Sequence, residues 1–419
     1  MNDSSVSALP RSERIATLDI VRGFALLGIL IMNMPGFGTS FFAEADGSHL
    51  WPGRVDQIAE ATRDVLFSGK FNSMFSLLFG IGFTIQFARM EAAQPDRATT
   101  LYLRRLGVLA IVGLLHAVLV WNGDVLHVYA GLGLLMLLAL RRLSDRALIG
   151  LMAFCLAYPA IAGVLRVLLI TPEMTATRVA LAQAFEASNN AAYGHGSFWA
   201  ATVEHAREFG FVYGNLVSLS YFLGFWIQMA LTMLLGVLAG RRRWPQRIAE
   251  LMPAIRRIHV WTLVIGLGCG AAFALIFELN RTPGPTPIKV LGGIAYWISR
   301  LALMIFYVLA IVRVAQHPAR AKRLEPIAAA GRMPLTNYLM QTAICTTLFY
   351  GWGFGLWGKV GPAAGIVLAL AIFFLVQVPW SVWWLRRHEQ GPLERLWARL
   401  TYGRTGAERS PAAVGAASP

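Results

Sequence analysis

The sequence predicts an all-α, polytopic transmembrane helix bundle of about ten spans, with both termini cytoplasmic. Three observations carry that prediction. The 419 residues are 56% hydrophobic and only 14% charged, with a mean hydropathy of +0.56, whereas a soluble domain carries roughly 25% charged residues. Apolar runs of spanning length recur at 16–37, 70–88, 103–121, 125–140, 147–170, 217–240, 258–278, 289–312, 334–352 and 362–385, near the ~20 residues a helix needs to cross a bilayer. Finally, 26 of the 37 Lys and Arg residues fall in alternate connections and at the two ends, the pattern that orients a chain with its basic loops in the cytoplasm. The formal charge of +15 is distributed among these short clusters, so it reads as membrane orientation rather than as a nucleic-acid surface.

The chain divides accordingly. Residues 1–15 form a cytoplasmic N-terminus without a signal-peptide pattern, and the first span serves as an uncleaved signal. The bundle occupies 16–385, with two long outer loops at 38–69 and 171–216. The first loop holds Glu44, Asp46, His49, Asp56, Glu60 and Asp64. The second holds Glu173, Glu186, His195, Glu204, His205 and Glu208, with Phe198 and Trp199 as interfacial anchors. Both are expected to be solvated loops or lids over an external site, and 177–188 suits an amphipathic helix on the bundle surface. Trp121-Asn122-Gly123-Asp124 is a tight turn between the third and fourth spans, with Asp124 placed to cap the fourth. Residues 386–404 form a cytoplasmic interfacial helix that puts Leu393, Leu396, Trp397 and Leu400 on one face, and 405–419 have the composition of a disordered tail. Cys155, Cys269 and Cys345 lie in predicted spans without ligand or redox spacing, so no disulfide framework and no metal site is indicated.

A charge inside a span costs several kcal/mol unless it faces protein or water, so the polar residues within the spans are the candidates for function. In the first span Asp19 and Arg22 are three apart and can pair. They act either as a structural ion pair or as an anion site in which Asp19 holds Arg22. At 100° per residue, Asn33 falls on nearly the same face as Arg22, roughly 16 Å further along the axis. His116 lies just inside the outer end of the third span and Asp124 just beyond it, so the turn can bring them together as an acid–base pair, with His127 and Tyr129 nearby. Each could instead serve only packing or capping. The ninth span begins Gly331-Arg332-Met333-Pro334-Leu335-Thr336-Asn337-Tyr338-Leu339-Met340-Gln341. Asn337 and Gln341 share a face there, as interhelical glue or as ligand contacts, and Arg332 at the cytoplasmic mouth suits a phosphate. The Gly80-x-Gly82 pair lies inside an apolar helix and reads as close packing rather than a phosphate loop. No Walker, GxSxG or HExxH motif is present, which removes ATP-driven transport and the common hydrolase and metalloprotease classes.

Five ordered blocks resemble the YeiB-type family of bacterial membrane proteins. They are Leu18-Asp19-x-x-Arg22-Gly23 through Asn33, Lys70-Phe71 through Gly82, His116-Ala117 through Tyr129, Gly331-Arg332 through Gln341, and Gly391-Pro392-x-Glu394-x-Leu396-Trp397. More distantly, the opening helix resembles that of transmembrane acyltransferases such as heparan-α-glucosaminide N-acetyltransferase. That resemblance implies a multi-pass protein of the bacterial cytoplasmic (inner) membrane that takes an acyl group from cytoplasmic acyl-CoA. The acceptor would be an envelope glycan or lipid hydroxyl or amine. Asn33 matches the Asn implicated in those relatives, whereas His49 departs from the spacing of their loop His. His116 is therefore the preferred base, oriented by Asp124, with Asn33 and Asn337 at the carbonyl. Arg22, Arg104, Arg105 and Arg332 are expected at the phosphates, with Asp19, Tyr129, Tyr338 and Gln341 completing the site. The alternatives are a proton-coupled small-molecule or lipid transporter and a non-catalytic envelope partner. The bilayer is the one partner that composition itself demands, and nothing in the sequence sets an oligomeric state.

Overall fold

Twenty-three residues from Ala16 to Gly38 form the first helix, α1, whose buried residues lie on every side of its axis. A helix apolar all round belongs at the centre of a bundle, and α1 sits there, packed on neighbours described below. The computed structural model describes residues 16–214 and 216–403; the predicted N-terminal segment 1–15 and tail 405–419 lie outside them. Among the described residues every regular element is helical.

From the outer end of α1 the chain forms α2 (Arg54–Leu66) and returns through α3 (Lys70–Ala93). Helices α4 (Ala98–Leu119) and α5 (Leu126–Leu135) make a hairpin, and a π-helical turn, Met136–Leu140, extends α5. Then come α6 (Asp145–Leu169), α7 (Pro172–Gly194), α8 (Phe198–Gly214), α9 (Leu216–Arg241), α10 (Ile248–Leu279) and α11 (Pro287–Ala315). Two short helices, α12 (Pro318–Arg323) and α13 (Glu325–Gly331), lead into α14 (Pro334–Phe349). Helices α15 (Pro362–Ala371) and α16 (Val378–Leu385) are joined by a π-helical stretch, Ile372–Gln377, and α17 (Pro392–Tyr402) follows. The Arg-rich end of the bundle is called inner here and the opposite end outer.

Eight of these stretches are long and apolar enough to cross a membrane among the described residues, so the chain is an all-α, multi-pass membrane-type bundle. The two other apolar runs are short helices. Leu126–Leu140 is one of them, and the turn before it is docked on α1 by Trp121, whose indole Nε1 donates to the Gly36 carbonyl at 2.9 Å. Helix α14 buries Leu335, Asn337, Tyr338, Gln341, Cys345 and Phe349 at once, so protein rather than lipid surrounds it. In α6 and α10, by contrast, only 11% of the apolar window is buried, which is the composition of lipid-facing helices. Helix α1 packs on α3, α11, α13, α14 and α15, while α3 packs along α9.

The long outer segments are not open loops. Thr171 caps α7, its hydroxyl accepting from the Met174 N–H at 3.3 Å, and Pro172 opens the helix, which is longer than the expected 177–188. Helix α8 then carries Glu204, His205 and Glu208 into the protein, all 5% exposed or less. At the inner end α17 lies against α4 and α14. The Trp397 indole donates to the Arg105 carbonyl at 3.0 Å, and Leu396 and Leu400 stay exposed on the expected face.

The Gly80-x-Gly82 pair is a packing device on one side only. A Cβ at Gly80 would sit 2.1 Å from the Met233 carbonyl oxygen of α9, whereas one at Gly82 would meet nothing within 4 Å. Gly80→Ala is therefore expected to lower the unfolding temperature in detergent, by the ~1–3 kcal/mol typical of overpacking. Gly82→Ala should leave it unchanged or raise it through helix propensity, and equal temperatures for the two variants would contradict this packing.

Candidate functional site

The α4–α5 hairpin builds a buried polar cluster around Asp124 and His116. Asn122-Gly123 turns the chain, and Asp124 follows with a carboxylate that takes every donor near it. Its Oδ1 accepts the backbone N–H groups of Leu126 at 2.8 Å and His127 at 3.2 Å. The same oxygen is 2.9 Å from His127 Nδ1, and Oδ2 is 2.7 Å from His116 Nδ1. Asp124 therefore caps α5 and holds two imidazoles at once. Gly113 permits this, because a Cβ there would lie 2.4 Å from the His127 nitrogen and 2.9 Å from Asp124 Oδ1. Burial acts to raise the Asp124 carboxyl, and the hydrogen bonds from His116 and His127 outweigh it, holding the group below its ordinary range.

A carboxylate only accepts, so Nδ1 of each ring carries a proton, and in the neutral form of each ring Nε2 presents a lone pair. On His127 that lone pair is taken by the Tyr213 hydroxyl at 2.5 Å. On His116 it is buried and has no hydrogen-bond partner. A buried, oriented imidazole with an open Nε2 is the arrangement of a general base.

Below this cluster lies a cavity of about 690 Å³ that runs from the inner end to the middle of the bundle. Asp19, Arg22, Arg89, Arg105 and Arg332 line it near the inner end, with apolar walls from Phe75, Leu78, Phe79 and Leu109. Tyr129 and Tyr338 stand at its upper end beside Val125 and Leu126. Tyr338 belongs to both regions: it lines the cavity, and its ring packs on the His116 imidazole with centroids 5.5 Å apart. Tyr129 donates to the Asn72 carbonyl at 3.0 Å.

The expected residues fall into two groups. His116 and Asp124 are joined, Asp19 and Arg22 form their ion pair, and Arg22, Arg105, Tyr129, Arg332 and Tyr338 share the cavity wall. The others are elsewhere. Asn337 donates to the Ala330 carbonyl and to Ser381, each at 3.0 Å. Gln341 donates to Gln377 at 2.8 Å and to the Leu26 carbonyl at 3.2 Å. Both amides are interhelical glue rather than cavity wall. Arg104 is exposed, one residue and 100° around the helix from Arg105. Asn33 is half-buried and lines no part of this cavity. Its face does match that of Arg22, but Ile29 is the last α1 residue on the cavity, and beyond it other helices cover α1. His49 lies far off, 3.2 Å from Glu278.

Sequence reasoning missed the continuation of the polar cluster toward the outer end. Helix α8 packs on α4 and brings His205 near His116. His205 Nε2 is 3.0 Å from the Tyr350 hydroxyl, and burial, with a smaller contribution from His116, pushes the imidazole down to about 3. Tyr193 stacks on both His205 and Tyr350 and donates to Glu208 at 3.1 Å. Burial pushes Glu208 up to about 8. The available signal was the spacing of Glu204, His205 and Glu208, which puts all three on one side of a helix, with exposed Arg207 reaching Glu204 at 3.4 Å.

With this geometry in place, comparison with known proteins gives the family. The chain is 31% identical over 411 residues to the uncharacterized protein YxaH of Bacillus subtilis (strain 168), covering 95% of this chain and 97% of that protein. It is 30% identical over 413 residues to the uncharacterized protein YeiB of Escherichia coli (strain K12), covering 93% and 96% respectively. The family described as "Protein of unknown function (DUF418)" matches residues 239–404. The chain belongs to this YeiB-type DUF418 family. Similarity runs nearly end to end, so the hairpin and α1, which precede the matched DUF418 segment, lie within the part shared with YxaH and YeiB.

Glu208 makes the DUF418 fold pH-sensitive in a defined direction. An acid whose folded value is raised binds its proton more tightly when folded, so stability falls as the pH rises from the unfolded value toward the folded one. Above about 6.5, the ordinary value for His205, that residue is neutral in both states and no longer opposes the slope. Between there and about 8 the Glu208 contribution should lower stability by up to ~1.4 kcal/mol per pH unit, read as the difference in slope between the wild type and Glu208→Gln. Glu208→Gln should remove that fall in thermal unfolding measured across this range; an unchanged slope would contradict the burial of a protonated Glu208.

Proposed function

We propose that this protein is a membrane-embedded acyltransferase of the bacterial cytoplasmic (inner) membrane, taking an acyl group from acyl-CoA at the inner end and delivering it to an envelope acceptor. The observation that carries this reading is the inner cavity with its arginines at one end and, against the Tyr338 ring at the other, an Asp-held imidazole with an open nitrogen. Arg22, Arg105 and Arg332 suit the phosphates of a CoA, since guanidinium groups bind them through paired hydrogen bonds. The apolar middle of the cavity suits the pantetheine arm and acyl chain. The distant resemblance of the opening helix to transmembrane acyltransferases prompts this reading, although Asn33, the residue it implicates, stands outside the cavity.

In this reading His116 Nε2 takes the proton of an acceptor hydroxyl or amine as that atom attacks the thioester carbonyl. The C–S bond breaks, an ester or amide bond forms, and the CoA thiolate leaves as the thiol with the proton that His116 took from the acceptor, which returns the imidazole to its neutral form. Asp124 stabilises the imidazolium that forms. Neither Asn33 nor Asn337 has a part, because neither reaches the cavity; the Tyr338 and Tyr129 hydroxyls are the polar groups left beside the reacting carbonyl. The upper end of the cavity must open past Tyr338 for the acceptor to meet His116.

A second reading is favoured by one feature, the buried His205 and Glu208 beyond His116. A line of titratable groups from cavity to outer end also suits proton-coupled transport of a small molecule or lipid.

Thermal unfolding with CoA and acetyl-CoA in detergent separates the two. A saturable rise in unfolding temperature is expected, weakened by Arg332→Ala. His116→Ala should retain that rise and lose acyl transfer to envelope-lipid extracts by at least ~10²-fold, the usual size of a general-base contribution. No shift at millimolar CoA, with proton-coupled flux in vesicles and no modified product, would favour transport.

A further inference from the structure

A second, larger cavity of about 1580 Å³ opens at the outer end between α2, α6, α10 and α11, away from His116. Helix α11 supplies one wall. Lys289, Gly293, Tyr296, Trp297 and Arg300 follow at helical spacing, so one face of α11 runs along the cavity from mouth to floor. Arg300 lies roughly 20 Å along the axis from Pro287, near the middle of the bilayer. It is 5% exposed. Its Nε has no hydrogen-bond partner, and its one contact with a carbonyl, Gly69, is 3.5 Å long. Beside it Lys70 is fully buried, its ammonium donating to the Asp64 backbone carbonyl at 2.7 Å. Both cations lie over the same Tyr296 ring, at 5.4 and 5.2 Å. Among the described residues no carboxylate forms an ion pair with either.

The acids of the cavity wall are engaged elsewhere. Glu60 and Asp64 pair with Arg63 at 3.2 and 2.9 Å, and Glu44 and Glu278 pair with Arg281 at 3.4 and 3.2 Å. Two adjacent basic side chains in a protein interior, neither ion-paired with a carboxylate, are strongly unfavourable, and within a membrane such groups mark a ligand path. Around them the wall is apolar, with Val65, Leu66, Phe225, Phe273 and Val290. Helices α6 and α10, which complete the wall, are the lipid-facing ones. The volume exceeds that of ordinary small-ligand pockets, ~300–1,000 Å³.

We propose that this outer cavity binds an anionic phospholipid of the surrounding leaflet, its phosphate brought to Arg300, which lines the cavity, with Lys70 buried beside it, and its acyl chains laid along the apolar wall. The site is separate from the His116 cavity and stands whether or not the chain transfers acyl groups.

The test is thermal unfolding of the full chain in neutral maltoside detergent, with dodecyl phosphate as probe, inorganic phosphate as the soluble source of the same anion, and phosphatidylglycerol against phosphatidylcholine as lipids. Dodecyl phosphate and phosphatidylglycerol should raise the unfolding temperature saturably, by several degrees. Phosphatidylcholine and inorganic phosphate at the same concentration should not. Arg300→Met should abolish the rise. Gly293→Phe provides a variant that leaves both cations in place, because a Cβ at Gly293 meets nothing within 4 Å and the ring fills the cavity; it too should abolish the rise. No rise in the wild-type chain, or an equal rise in the wild type and Gly293→Phe, overturns the proposal. A rise with inorganic phosphate equal to that with dodecyl phosphate overturns the lipid source.

Discussion

The rest of the polar interior depends on one carboxylate. Asp124 sits at the point where the α4–α5 hairpin dips into the bundle, and its two oxygens satisfy two helix N–H groups and two imidazoles. A buried carboxylate is tolerable only when its lone pairs are filled in this way. Because they are, the hairpin can be short, Trp121 can anchor it to the end of α1, and His116 is fixed in one orientation with one nitrogen committed and the other open. The large inner cavity, the Tyr338 ring above it and the α8 cluster are all arranged around that imidazole.

The bundle keeps its polar work in separate places by a simple division of surfaces. Helices α6 and α10 face lipid and carry almost no buried side chains. Helices α1 and α14 are enclosed by protein, which is why α14 can hold Thr336, Asn337, Gln341, Thr342 and Thr346 without cost to insertion. These groups bond within α14, back to α13, or across to α1, α16, α17 and the π-helical stretch before α16, so they stiffen the wall behind the cavity. At the inner end Glu394 of α17 accepts the Leu335 and Thr336 N–H groups at 2.7 and 3.0 Å, capping α14 and closing the bundle beside Arg332. The titratable groups that remain fall at the inner mouth, at Asp124 and His116, in α8, and at Arg300 and Lys70.

Much of this was legible in the sequence because it is local. Asp19 and Arg22 are one helical turn apart, and His116 and Asp124 are eight residues apart across a turn whose Asn-Gly announces itself. The resemblance to YeiB-type proteins, carried by five short blocks, agrees with the family the comparisons give. What was not legible depends on which faces meet. Asn33 shares the face of Arg22 on an isolated helix, but the cavity ends at Ile29, so the angle was right and the neighbour was different. Asn337 and Gln341 offered glue or ligand contact equally, and only their partners Ser381 and Gln377 decide between them. Glu204, His205 and Glu208 look like a solvated loop by composition; their burial comes from the preceding helix α7 and from the Tyr350 corner, 145 residues along the chain from His205, closing over α8.

The most direct test of this account is the protonation of one ring. Nitrogen-15 NMR of histidine-labelled protein, with the His116 resonances assigned by their loss in His116→Gln, reads the two ring nitrogens separately at a pH where the imidazole is neutral. The account predicts a protonated Nδ1, shifted by its bond to Asp124, and an Nε2 with the resonance of an unprotonated, weakly bonded nitrogen. The proton on Nε2 instead, or loss of the Nδ1 shift without any response to Asp124→Asn, would contradict it.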